Sequence, residues 1–235
     1  MAVSDGSVRA LDGRAAAIVE VAAVAAAVFL THAAIGRLGG DVSLGALSIV
    51  VAFGLATWLL RRRGCRWSDL GLRRPERIGV AAAWAVGLFL VDMVLLPALV
   101  SGLAGALRLP AQHLAAFADL QGNLARYLVL LIPIGWGTAA FGEELIFRGF
   151  IARRLADGFG GTRAAQYAAT VGQAALFALG HAYLGPRGML NAGALGLVAG
   201  FGYGWSGRNL WPLFIAHGLV DSVGITALYL GPAHS

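Results

Sequence analysis

The stretch Gly142-Glu143-Glu144-Leu145-Ile146-Phe147-Arg148-Gly149 sets two carboxylates and a guanidinium within an apolar run. Each such charge costs about 2.5–3.5 kcal/mol to place at the centre of a bilayer, so it needs a use. Two more short stretches repeat the puzzle, Phe177-Ala178-Leu179-Gly180-His181 and His217-Gly218-Leu219-Val220-Asp221. On a helix, Glu144 and Arg148 share a face and can form an ion pair that carries Arg148 to the cytoplasmic boundary. Glu143 then points about 100° away, toward a bundle interior. Phe177 and His181 share a face, as do His217 and Asp221. If the three helices pack together, a carboxylate and two imidazoles converge in one polar cavity. A glutamate there can take a proton from water while one histidine orients that water. The second histidine, supported by a polar residue one turn on, can steady an oxyanion. Two histidines and a glutamate (Glu143, His181 and His217) also match the ligands of a catalytic zinc, so Zn²⁺ stays open as an alternative. On either route the chemistry is hydrolysis of an acyl bond.

The elements that must position these groups are membrane helices. Hydrophobic residues make up 58% of the 235-residue chain and charged residues 13%, against about a quarter charged in soluble domains. The mean hydropathy is +0.74. Runs of spanning length are expected at 15–36, 43–60, 80–101, 126–147, 164–184, 189–206 and 210–230. The fold class is therefore an all-α polytopic membrane bundle of about seven transmembrane helices. A short amphipathic interfacial helix is expected at 111–120. Residues 1–235 read as a single integral membrane domain without a linker or internal repeat. The first apolar run is longer than a signal-peptide core of about 7–15 residues and reads as a retained span.

All 18 basic residues are arginine. They fall at the ends of apolar runs and form no basic stripe interleaved with aromatics, which argues against nucleic acid as a partner. With the N-terminus in the cytoplasm and seven crossings, fourteen arginines fall inside and four (Arg37, Arg108, Arg126 and Arg187) outside. That split follows the positive-inside rule. The lone cysteine, Cys65, excludes an internal disulfide and a multi-thiolate metal site. Gly196, Gly200 and Gly204 recur every fourth residue, a face suited to close helix packing within or between subunits. His32, Glu20 and Asp92 also fall in apolar runs and are expected to make interhelical contacts or border the cavity.

The ordered set Glu143-Glu144-x-x-x-Arg148, Phe177-x-x-x-His181 and His217-x-x-x-Asp221 resembles the CPBP intramembrane peptidases. These are the CAAX proteases and bacteriocin-processing enzymes, also called the Abi family. The resemblance covers approximately residues 125–225. It implies that Glu143 and His181 activate water, that Glu144 and Arg148 organise the site, and that His217 with its neighbour holds the oxyanion. The prenyl-protein members have Asn where this chain has Asp221. An ionised Asp cannot donate a hydrogen bond, so Asp221 would orient His217, bind a metal or act protonated. The expected activity is an intramembrane endopeptidase acting on a membrane-associated protein or peptide, with its cavity opening toward the cytoplasm of an inner or plasma membrane. Exclusive use of arginine suggests a GC-rich bacterial source, where a bacteriocin leader, secreted peptide or membrane-bound regulator is a better substrate than a prenylated protein. The rival class is a non-catalytic scaffold, a bacteriocin-immunity protein or a transporter that uses the same polar cavity.

Overall fold

The computed structural model describes residues 5–39 and 45–231, with side chains from residue 13 onward. Among them are seven long helices and no strand. They are α1 (Asp5–Arg37), α2 (Leu47–Arg62), α3 (Ile78–Ala106), α4 (Leu124–Gly158), α5 (Arg163–Gly180), α6 (Gly185–Trp205) and α7 (Trp211–Leu230). Residues 43 and 44 of the second expected run lie outside the described residues.

Local chemistry explains the boundaries. Asn123 caps α4 by accepting a hydrogen bond from the Arg126 amide at 3.1 Å, and Thr162 caps α5 through the Ala165 amide at 3.1 Å. α2 stops before Gly64, whose φ of +69° continues no helix. Pro186 and Pro212 sit in the first turns of α6 and α7, where the missing N–H costs nothing.

Contacts among the helices and the segments that connect them define two poles. At one, Glu20 pairs with Arg63 at 2.6 Å and with Arg154 at 2.8 Å. There Tyr203 also donates to the Leu70 carbonyl at 2.8 Å, and the Leu210 amide to the Gly71 carbonyl at 3.1 Å. At the other pole Arg187 donates to Ser101 at 3.1 Å, and the His113 and Gly122 amides donate to the carbonyls of Leu184 and Tyr229. The chain therefore runs between the poles seven times.

Four of these seven passes are long and apolar enough to cross a bilayer: Gly13–Arg37, Ile78–Ala106, Leu124–Gly158 and Trp211–Leu230. The other three fall short for separate reasons. α2 has 16 residues, about 24 Å at 1.5 Å per residue, less than a hydrocarbon core of about 30 Å. α5 carries Gln166, Gln173 and Thr170, and α6 is diluted by glycine. Gly196 and Gly200 do pack as the spacing predicts. A Cβ on Gly196 would lie 3.0 Å from the Ala174 Cα, and one on Gly200 would lie 2.7 Å from Gln173 Nε2. Gln173 donates to the Gly196 carbonyl at 2.8 Å, a bond only so close a contact allows. Gly204 departs from the pattern and faces open space.

The amphipathic helix expected at 111–120 does not form; the segment holds one 3₁₀ turn, Ala115–Phe117. Its amides instead tie the bundle together, His113 to the α5–α6 connection and Gly122 to the end of α7. Tertiary bonds win here over a weak local helix signal of only ten residues.

Candidate active site

α4 carries the central groups, and it is wound unusually wide. From Leu130 to Ile151 it follows an i→i+5 register, ending with the Ala152 amide bonded to the Phe147 carbonyl. Such turns are normally single and cluster at functional sites. Pro133, which cannot supply an i→i−4 bond, lies inside this stretch.

Glu143 and Glu144 leave this helix in different directions. Glu143 lines a cavity of about 360 Å³ together with His181, His217, Asp221, His32 and Tyr183. It has no hydrogen bond or ion pair among the described residues. Glu144 is 1% exposed and is tied on two sides. Its Oε1 accepts a hydrogen bond from His217 Nδ1 at 2.8 Å and lies 3.1 Å from Arg148 Nη1. The i,i+4 ion pair thus forms, but Arg148 is 1% exposed and does not reach the membrane boundary. Its guanidinium lies over the Phe177 ring, 4.3 Å from the centroid. A desolvated cation gains about 2 kcal/mol from such a face, which helps keep Arg148 in the core.

Phe177 does two jobs from α5. Its ring supports Arg148 and meets Phe147 edge-on at 5.1 Å. Its carbonyl oxygen lies 2.9 Å from His181 Nδ1. A carbonyl only accepts, so Nδ1 carries the proton, and the neutral ring keeps its lone pair on Nε2. His181 is not inside a span as the hydrophobic run suggests; it caps the end of α5 and lines the cavity beside Glu143. His217, on α7, also carries a proton on Nδ1, because that N–H donates to the Glu144 carboxylate. Its Nε2 lies 3.7 Å from Asp221 Oδ1, too far for a hydrogen bond. The orienting role considered for Asp221 falls geometrically to Glu144.

The zinc alternative would draw on the same side chains. Glu143, His181 and His217 share the cavity. Yet among the described residues no three His, Cys, Asp or Glu side chains are grouped to hold a metal ion.

Three groups at the site were given no catalytic weight by the sequence. Tyr183 stands between the rings of His32 and His181, with centroids at 5.8 and 6.1 Å. His32 enters from α1, far upstream of the motifs. Asp92, 9% exposed, lies in α3 at another widened turn, Val91–Leu95. It shares a chamber of about 30 Å³ with Glu144, Arg148 and His217, behind the large cavity. Asp92 Oδ1 and Glu144 Oε2 are both buried there without a hydrogen-bond partner among the described residues. The only sequence signal for Asp92 and His32 was an ionisable group in an apolar run.

The cavity also lies at an unexpected pole. Its walls include Gly45, Phe117 and Gly180–Tyr183, which belong to the end bearing Arg126 and Arg187. No residue of the pole with Glu20, Arg63, Arg154 and Tyr203 lines it. The expected opening toward the arginine-rich side is therefore replaced by one at the opposite end. The reason is geometric: residue 143 is reached from the N-terminal half of α4, and His181 ends its helix at that same pole.

No curated protein and no solved structure matches the chain. Residues 125–223 match the model of a family described as Rce1-like, type II CAAX prenyl endopeptidase Rce1-like. The matched stretch contains Glu143, Glu144, Arg148, Phe177, His181, His217 and Asp221, whereas α1 to α3 lie upstream of it. Residues 125–223 are an Rce1-like domain of the CPBP family of membrane proteases.

Proposed function

We propose that the protein is an intramembrane endopeptidase that cleaves a membrane-associated protein or peptide with water activated by Glu143 and His181. The observation that carries this reading is the pairing of an untethered carboxylate with an oriented imidazole in one cavity. Glu143 takes the proton as the water oxygen attacks the scissile carbonyl carbon. His181 Nε2 accepts the other water hydrogen bond and so fixes the direction of attack. As the C–N bond breaks, the proton held on Glu143 passes to the departing amine. His217, in its protonated form, presents Nε2–H to the developing oxyanion while Glu144 holds Nδ1 in place. Asp221, 3.7 Å from that nitrogen, supports the positive charge on the ring.

The test is cleavage of a quenched peptide library by detergent-purified protein, its Glu143→Gln and His181→Ala variants, and chelator-treated wild type. Loss in both variants with activity surviving the chelator supports the mechanism as written. Loss with chelator as well would replace it with a Zn²⁺-assisted one. Wild-type rates in well-folded Glu143→Gln would remove the peptidase reading.

A further inference from the structure

The reaction cavity and most of the positive charge sit at opposite poles of the bundle. Arg37, Arg108, Arg126 and Arg187 belong to the segments at the cavity pole. Arg148 is buried in the site, and the other arginines belong to the segments that join at the Glu20–Arg63–Arg154 pole. The sides are tied by contacts, not by counting alone. Glu20 of α1, Arg63 after α2 and Arg154 near the end of α4 meet in one ion-pair cluster. A pole so rich in arginine stays on the cytoplasmic side of a membrane, because translocating short basic loops is strongly disfavoured.

We infer that the cavity is entered from the non-cytoplasmic face of the membrane. The substrate is then an apolar peptide segment presented there, a translocated or secreted chain, and not the lipidated C-terminus of a cytoplasmic protein. This rests on the peptidase reading and narrows its substrate class. The wall supports an apolar occupant. Val28, Phe29, Ile49, Phe117, Leu130 and Ile225 surround the polar floor formed by Glu143 and the histidines. A segment lying along those side chains would bring one carbonyl to Glu143 while its flanks stay out of water.

The chain supplies its own reporter. Cys65, the lone cysteine, is partly exposed just after α2, at the arginine-rich pole. Ala111→Cys in a Cys65→Ser background marks the cavity pole, at an exposed position. Gln121→Cys is a second such marker if the first variant folds poorly. Intact expressing cells are treated with a membrane-impermeant maleimide, with and without permeabilisation. The expected result is labelling of the position-111 or position-121 cysteine in intact cells at least about tenfold faster than Cys65, with Cys65 reached only after permeabilisation. The reverse pattern overturns the assignment. A quenched apolar peptide is then offered to sealed spheroplasts and to sealed inverted vesicles. Cleavage by spheroplasts alone supports the inference, and cleavage by inverted vesicles alone overturns it. If labelling comes out as expected but wild type cleaves nothing from either side, the peptidase reading fails and the orientation of the cavity stands.

Discussion

Glu143 and Glu144 are adjacent in the chain and inhabit two unlike regions. Glu143 faces a cavity of about 360 Å³ and has no hydrogen bond or ion pair among the described residues, whereas Glu144 is wedged between Arg148 and His217 beside a chamber of about 30 Å³. The contrast teaches a division of labour. A proton-transfer group must change its bonding during a turnover, so fixed partners would resist it. A positioning group must not change, so it is tied on two sides. Swapping the environments of the two carboxylates would disable both.

Five variants can break that contrast or sharpen it. The largest effect is expected from Glu143→Gln, which should slow peptide cleavage by about 10²–10⁴-fold. Its thermal unfolding in detergent should match wild type, because no tether is removed. A large loss of stability in this variant would contradict the division. Glu144→Ala should do the opposite, leaving Arg148 buried without its counter-ion at a cost of about 3–5 kcal/mol in denaturant unfolding. The double change Glu144→Leu with Arg148→Met should recover most of that stability while activity stays lost, since His217 remains unheld.

Phe177→Leu comes next. It removes the ring beneath Arg148 but leaves the backbone carbonyl that orients His181. The expected loss is about 2 kcal/mol of stability, with a several-fold drop in kcat and an unchanged KM for the same peptide. The smallest effect is expected from Asp92→Asn. It keeps the shape of the chamber behind Glu144 and should alter kcat by less than about tenfold. A bigger effect there would make the back chamber part of the reaction and not only its support.

Much of this is legible in the sequence alone. The three motif stretches stand out because charges and imidazoles are costly in apolar runs, and that cost is a property of composition. The Glu144–Arg148 pair follows from i,i+4 spacing alone. The Gly196 and Gly200 contact with α5 follows from small residues every fourth position, while Gly204 shows that periodicity does not say how far a contact extends. Four of the seven expected runs are long and apolar enough to span, and α2, α5 and α6 are not. Run length alone cannot separate a lipid-facing helix from one shielded by its neighbours, because both can be apolar.

By itself, then, the sequence determined an all-helical membrane bundle, the residues of the candidate site, and the arginine asymmetry of its connections. These depend on residue type and short-range spacing. Only the tertiary structure decided that Glu144 and not Asp221 holds His217, that Arg148 is buried over Phe177, and that Asp92 and His32 come in from outside the matched domain. It also decided at which pole the cavity lies. Each of these is set by which helix faces meet, and helical spacing within one segment carries no information about the azimuth of its neighbour.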